Sequence, residues 1–88
     1  MSYEALVSTG LTYRELASLV GLNHMTVYYA MKGEAHLRDK NRAKMDSVMG
    51  VLLKLVETGK LPMKATERVV RDRNVEKIKA YVERVLAA

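Results

Sequence analysis

The segment from Leu11 to Gly33 constrains the fold of this chain more than any other part of the sequence. Thr12 is followed three positions later by Glu15, which is the pattern of a capping box at the start of a helix. Leu11 and Leu16 stand where a hydrophobic staple has its two apolar partners. These residues predict a well-defined helix start directly after Thr12.

A glycine divides this segment into two helices. The first helix is predicted to run to about Val20, and Gly21 can then adopt the left-handed conformation at little cost. Leu22 is predicted to be a buried turn residue. Asn23 can cap a second helix, from about His24 to Lys32, by accepting a hydrogen bond from a backbone N–H group.

The spacing of small and apolar residues in the segment is that of a helix-turn-helix. Such a motif needs a small residue where the helices cross, a turn residue that tolerates positive φ, and an apolar residue that locks the second helix. Ala17, Gly21 and Val27 meet these needs in order, four and then six positions apart.

Composition supports an all-α fold of five to six helices. Hydrophobic residues make up 49% of the chain, but there is no Phe or Trp, so Leu, Val, Met and Ala must form the core. That mixture favours helices over sheets. Ser2 can cap a short N-terminal helix that Gly10 ends, and a long amphipathic helix is predicted from about Asp39 to Thr58.

The C-terminal third is divided less clearly. We expect a short helix over Ala65 to Arg73 and a separate final helix capped by Asn74, because Val69 and Val70 fit poorly onto the later apolar stripe. One unbroken helix from Ala65 to Ala87 is the alternative. The stripe comprises Val75, Ile78, Val82, Val85 and Leu86.

Two domains follow from this division. Residues 1–58 are predicted to form the helix-turn-helix domain, and residues 59–88 a C-terminal helical extension. The extension either completes the core or forms a dimer interface. We favour a homodimer, because the apolar face of the long helix is wider than the short motif can cover.

The charges of the chain suggest a polyanionic partner. The formal net charge is +5 and the pI is about 9.6. A basic cluster follows the second helix of the motif, interrupted by Glu34 and Asp39, with His36 among its members. Its cationic members are Lys32, Arg38, Lys40, Arg42 and Lys44. They are placed for phosphate contacts, although an ordinary charged helix surface remains the alternative.

The second helix of the motif has an unusual exposed face. With Val27 at the centre of the buried side, the turn of about 100° per residue places Met25, Tyr29 and Lys32 on the opposite side. Tyr28 lies at the edge of that face, and His24 lies in the first turn. Tyrosine and methionine suit a DNA groove, where they can contact bases or phosphates. The alternative is that the tyrosines belong to the core or to a protein interface.

The segment LTYRELASLVGLNHMTVYYAMKG, Leu11 to Gly33, resembles the Cro and phage-repressor helix-turn-helix proteins, the XRE family. The resemblance implies an all-α, operator-binding regulator that acts as a homodimer. It implies DNA contacts at Tyr13, Asn23, His24, Met25, Tyr28, Tyr29 and Lys32. The chain departs from the family where glutamines often start both helices, and where Ala30 replaces a large aliphatic residue.

Other kinds of chemistry have little support in the sequence. No cysteine is present, so disulfides and thiolate metal sites are excluded. His24 and His36 do not have the spacing of a helical metal pair, and no serine has a nucleophile-elbow pattern. We expect no enzyme activity, cofactor or small-molecule ligand. Neither a signal peptide nor a membrane span is evident, so we expect a cytoplasmic protein.

The sequence therefore predicts a homodimeric transcriptional regulator that binds an inverted repeat in double-stranded DNA, with repression favoured over activation. One alternative keeps DNA binding but assigns it to phage or plasmid DNA packaging, excision or replication. Another is a protein-interaction module, such as an antitoxin or an inhibitor.

Overall fold

A computed structural model describes residues 3–33 and 37–87, and these residues contain helices and turns but no strand. A 3-10 helix, Tyr3–Thr9, precedes four α-helices. The α-helices are α1 (Tyr13–Val20), α2 (His24–Met31), α3 (Asp39–Glu57) and α4 (Arg68–Ala87). The all-α prediction is confirmed.

The local signals at the start of α1 act as predicted. The N–H of Glu15 donates to Thr12 Oγ1 at 3.1 Å, and the N–H of Thr12 donates to Glu15 Oε1 at 2.9 Å. This reciprocal pair is the predicted capping box. Leu11 and Leu16, the predicted staple residues, are both buried.

The turn between α1 and α2 is also built as predicted. Gly21 has a φ of +82° and donates its N–H to the carbonyl of Ala17 at 2.8 Å. Asn23 Oδ1 then accepts the N–H of Met25 at 2.8 Å, which caps α2. Leu22 is half-buried against the core rather than fully enclosed.

The predicted N-terminal helix is a 3-10 helix, and the hydroxyl of Thr9 closes it. Thr9 Oγ1 donates to the carbonyl of Leu6 at 2.6 Å and accepts the N–H of Leu11 at 3.3 Å. Such local side-chain bonds offer the backbone an alternative to continued helix. The predicted cap at Ser2 lies outside the described residues.

The side chain of Tyr3 connects this 3-10 helix to α3. Its hydroxyl donates to Asp46 Oδ1 at 2.8 Å. Burial, reinforced by the hydrogen bond to the Asp46 carboxylate, raises the pKa of Tyr3 to about 12. The phenol is therefore neutral at ordinary pH and acts as a donor that orients the first residues against α3.

The prediction of a break at Asn74 is wrong, because α4 runs without interruption over Arg68–Ala87. Val75 and Val82 are seven residues apart, about two helical turns, and both face the core at 5% and 2% exposure. Val69, which did not fit the apolar stripe, is 62% exposed, so its position does not require a break in the helix. The segment Ala65–Arg73 is not a separate helix.

One hydrophobic core extends across residue 58. It contains residues from all five helices and from the connection before α4. Its members are Tyr3, Leu6, Leu11, Leu16, Ala17, Leu19, Val20, Val27, Ala30, Met45, Val48, Met49, Val51, Leu52, Leu61, Val75 and Val82. α4 packs against both α1 and α3, while Val85 and Leu86 near its end are 41% and 47% exposed.

No helix in the described parts of the chain has the length and apolar character needed to cross a bilayer.

Candidate nucleic-acid interface

The α1–turn–α2 unit carries the candidate interface and is held by buried side chains and hydrogen bonds. Val27 of α2 is fully buried, and Ala17 of α1 is 5% exposed. The carbonyl of Ala17 also accepts the N–H of Leu22 at 3.1 Å, so the first turn residues are hydrogen-bonded to α1. Ala17 and Val27 are thus buried as predicted, and Gly21 forms the left-handed turn between the two helices.

The exposure of α2 follows the predicted helical wheel. Met25 and Tyr29 are 44% and 41% exposed, and Lys32 at the C-cap is also exposed. His24 and Tyr28 are half-buried. Ala30 is buried and Met31 packs partly against the core, so the side opposite Met25 and Tyr29 is the one that faces the protein.

An aromatic cluster joins α1 to the exposed side of α2. The rings of Tyr13 and Tyr28 meet edge to face, with centroids 4.9 Å apart and planes at 87°. Tyr28 meets Tyr29 in the same manner at 5.3 Å and 75°. Such arrangements are the favoured geometry of aromatic pairs. The Tyr28 ring therefore lies between two other tyrosine rings.

The same cluster also holds a cation. Lys32 Nζ lies 5.2 Å from the centroid of the Tyr28 ring, within the range of a cation–π interaction. The position of the ammonium group is thereby linked to the ring that contacts Tyr13. Sequence reasoning selected Tyr13, Tyr28, Tyr29 and Lys32 separately and did not predict that they form one group. Only the Tyr28 and Lys32 pair, four residues apart on one helix, carries a sequence signal.

Asn23 has a structural task that limits its availability for DNA. Its Oδ1 is already used as the acceptor that caps α2. Its amide N–H₂ group remains as a potential donor at the start of the helix. Of its neighbours at the N-terminal end of α2, Met25 is 44% exposed and His24 is half-buried.

The basic residues at the start of α3 are all exposed, and we define Arg38, Lys40, Arg42 and Lys44 as the basic patch. At about 100° per residue, Arg38 and Arg42 lie on one side of α3 and Lys40 and Lys44 on the other. Arg38 is the N-cap of α3, and its carbonyl accepts the N–H of Arg42 at 2.9 Å. Within the described residues none of the four forms an ion pair. Two carboxylates of α3 lie near these cations, since Asp39 is exposed in the first turn and Asp46 lies four residues after Arg42. Glu34 and His36 of the predicted cluster lie outside the described residues.

A polar contact between Glu15 of α1 and Arg71 of α4 was not predicted from the sequence. Arg71 donates from its Nε to Glu15 Oε2 at 3.0 Å, and from Nη2 to Glu15 Oε1 at 2.6 Å. The same guanidinium donates to the carbonyls of Gly10 at 2.9 Å and Ala65 at 2.5 Å. Hydrogen bonding from Arg71 holds the pKa of Glu15 below its ordinary value. The two residues are 56 positions apart, so no local pattern could have revealed the pair.

The described residues contain no group of three or more histidine, aspartate and glutamate side chains that could hold a metal ion.

A comparison of the chain with models of protein families, with curated proteins and with solved structures finds no match.

Proposed function

We propose that this chain is a sequence-specific DNA-binding transcriptional regulator that acts as a homodimeric repressor. The observation that supports this most is the exposed side of α2. Met25, Tyr29 and Lys32 project from a helix whose other side is locked by Val27, and the basic patch lies at the start of the next helix. Large exposed apolar side chains on a helix that also carries the exposed cation Lys32 are suited to a groove lined by phosphates.

The mechanism follows from this arrangement. α2 enters the major groove with its N-terminal residues and Tyr29 towards the base edges, while the basic patch contacts the phosphate backbone. Tyr13, at the start of α1, lies beside the phosphate backbone that borders this groove. Two copies bound to an inverted repeat would set their α2 helices about 34 Å apart, one turn of DNA. Occupation of a promoter in the cytoplasm would then block transcription.

Selection of binding sites from random duplex DNA tests the proposal, with the stoichiometry measured on the selected sequence. We expect an inverted repeat bound by two chains. A site without a promoter, bound by larger assemblies, would favour packaging, excision or replication instead. Co-purification with a protein and no salt-sensitive affinity for DNA would favour a protein-interaction module.

Matched variants test the interface itself. Tyr29→Ala combined with Lys32→Ala should weaken binding to the selected site by roughly tenfold or more, because it removes one large apolar contact with the groove and one positive charge beside the phosphates. Tyr81→Ala combined with Lys77→Ala is the control, since Tyr81 has the same 41% exposure as Tyr29 but lies on α4. Full selective affinity in a folded Tyr29/Lys32 double variant would contradict this assignment.

The basic patch has a different signature. Loss of one phosphate contact reduces the slope of log K against log salt concentration by about 0.9 and weakens binding to all sequences alike. Lys40 and Arg42 lie on different sides of α3, so Lys40→Ala and Arg42→Ala test the two sides separately, and the side that contacts phosphates should show this effect. An unchanged slope in both would remove the patch from the interface.

A further inference from the structure

The exposed part of α2 has a composition that limits which base edges it can recognise. We define the reading face as Met25, Tyr28 and Tyr29, which carry thioether, methyl and aromatic carbon surface. None of them has the paired donors and acceptors that arginine offers to guanine or that glutamine offers to adenine. The one amide at the start of the helix, that of Asn23, uses its oxygen for the cap.

Lys32, at the other end of α2, already has an interaction partner within the protein. Its ammonium group lies over the Tyr28 ring, 5.2 Å from the centroid, at the C-terminal end of the helix. In a helix that enters the groove by its N-terminal part, this position suits the backbone better than a base. Recognition by hydrogen bonds to guanine therefore has no strong candidate on the reading face.

One group on the floor of the major groove is complementary to such a surface. Thymine displays its C5 methyl group there, and the other three bases have no methyl group in that groove. Lys32 at the C-terminal end of the same helix, together with the net charge of +5, supplies the charge complementarity that makes duplex DNA the occupant. We propose that the protein reads its half-site through thymine methyl groups packed against Met25 and Tyr29. This inference rests on the proposed function and specifies its ligand.

Tyr28 has a distinct part in this recognition, as a positioning residue. Its ring is enclosed by Tyr13 at 4.9 Å and Tyr29 at 5.3 Å, and both contacts are edge to face. The Tyr28 ring thus fixes the orientation that Tyr29 presents to a methyl group before DNA binds. Preorganisation of this kind raises affinity by reducing the side-chain entropy lost on binding.

Replacing thymine by deoxyuridine tests the inference, since it removes the methyl group and leaves base pairing unchanged. Each thymine of the selected half-site is replaced singly. We expect affinity to fall about fourfold at each contacted position, the effect of burying one methyl-sized group. Positions outside the half-site provide the internal control, because their substitution should leave affinity unchanged.

Protein variants then assign the effect to residues. Met25→Ala and Tyr29→Ala should bind the thymine and deoxyuridine sites with nearly equal affinity, whereas Tyr29→Phe and the control Tyr81→Ala should retain the preference for thymine. For the positioning role, Tyr28→Phe should keep the preference because the ring remains. Tyr28→Leu should reduce it, although folding is unchanged.

The outcomes separate this inference from the proposed function. Selective binding with equal affinity for thymine and deoxyuridine at every position would overturn methyl recognition and leave the regulator intact. A selected half-site without thymine would do the same. Persistence of the thymine preference in the Met25/Tyr29 double alanine variant would overturn the residue assignment. Absence of any selective binding to duplex DNA would overturn both proposals.

Discussion

Arg71 shows how much one side chain contributes to the shape of this molecule. Its guanidinium reaches Glu15 in α1, the Gly10 carbonyl before α1, and the Ala65 carbonyl before α4. The side chains of Arg71 and Glu15 are only 18% and 13% exposed, so solvent screens their interaction weakly. Bidentate pairing of this kind is stronger than an ordinary surface ion pair.

Removal of this pair should destabilise the fold without touching the candidate interface. We expect Arg71→Met to lower the free energy of unfolding by about 2–4 kcal/mol, because it leaves a partly buried carboxylate and two carbonyls without their donor. Arg71→Lys should recover less than half, since lysine cannot pair in bidentate fashion. Urea unfolding at pH 7 measures both.

Glu15→Gln is the matched partner variant, because its amide oxygen can still accept the N–H of Thr12. A double-mutant cycle with Arg71→Met should give a coupling energy above about 1 kcal/mol. Simple additivity of the two changes would contradict a direct interaction in solution.

The same pair has a defined pH dependence. The folded-state pKa of Glu15 is lowered from 4.5, so its stabilising contribution is present above pH 4.5 and is lost as pH falls through the folded value. The difference in unfolding free energy between the original chain and Glu15→Gln should therefore shrink as the solution is acidified below that pH. A constant difference down to pH 2 would show that the charge of Glu15 is not what matters.

At the level of single elements, the boundaries of α1 and the start of α2 were accessible to sequence reasoning because their signals are local. Thr12 and Glu15 bond to each other within three residues, and Asn23 caps α2 from two residues away. Gly21 needs only its own backbone freedom. Each of these signals acts regardless of the rest of the fold.

Tertiary packing explains what the sequence did not reveal. Whether Asn74 begins a helix or continues one depends on what covers Val75, and that is decided by α1 and α3. Likewise, the exposed side of α2 could be predicted from its periodicity, but the contact of Tyr13 with Tyr28 depends on how two helices cross. A helical wheel contains no information about the crossing.

Three glycines in different settings provide a graded test of the element boundaries. A Cβ added to Gly10, at φ +68°, would lie 2.7 Å from the carbonyl oxygen of Met63. Gly21 has φ +82° but open space around the added atom, and Gly50 lies within α3, also with open space. An added side chain at Gly10 therefore meets both backbone strain and a clash, at Gly21 it meets strain alone, and at Gly50 it meets neither.

Alanine substitution should rank these positions. We expect Gly21→Ala to destabilise by about 1–2 kcal/mol, the cost of a left-handed alanine. Gly10→Ala should cost more, because the clash with the backbone of Met63 adds to the strain. Gly50→Ala should stabilise by about 0.5–1 kcal/mol through helix propensity. Thermal or urea unfolding measures the series, and equal effects at Gly10 and Gly21 would contradict the close approach of Met63 to Gly10.

At the scale of the whole molecule, the proposed DNA contacts and the C-terminal part of the hydrophobic core lie on different helices. The reading face and the basic patch lie on α2 and the start of α3. The C-terminal helix instead contributes Val75 and Val82 to the same buried cluster that contains Leu16 and Leu52. The helix-turn-helix therefore depends on a segment that is distant in sequence and has no predicted DNA contact.

A chain that ends at residue 58 should consequently fail to fold cooperatively, although it contains the whole helix-turn-helix. It lacks Leu61, Val75 and Val82, which are 4%, 5% and 2% exposed in the complete chain. It also lacks the Arg71 guanidinium that holds Glu15. We expect the truncated chain to have weak helical circular dichroism, no sharp thermal transition and no selective DNA affinity.

Point variants of α4 make the same test without removing the helix. Val82→Ala should lower the free energy of unfolding by about 2 kcal/mol, because it removes buried methyl groups and leaves a cavity. Val69→Ala, at a position that is 62% exposed, should stay within about 0.5 kcal/mol of the original chain. If α4 instead served only as a dimer contact, the effect of Val82→Ala would diminish as protein concentration rises. A loss independent of concentration identifies Val82 as part of the core of each subunit.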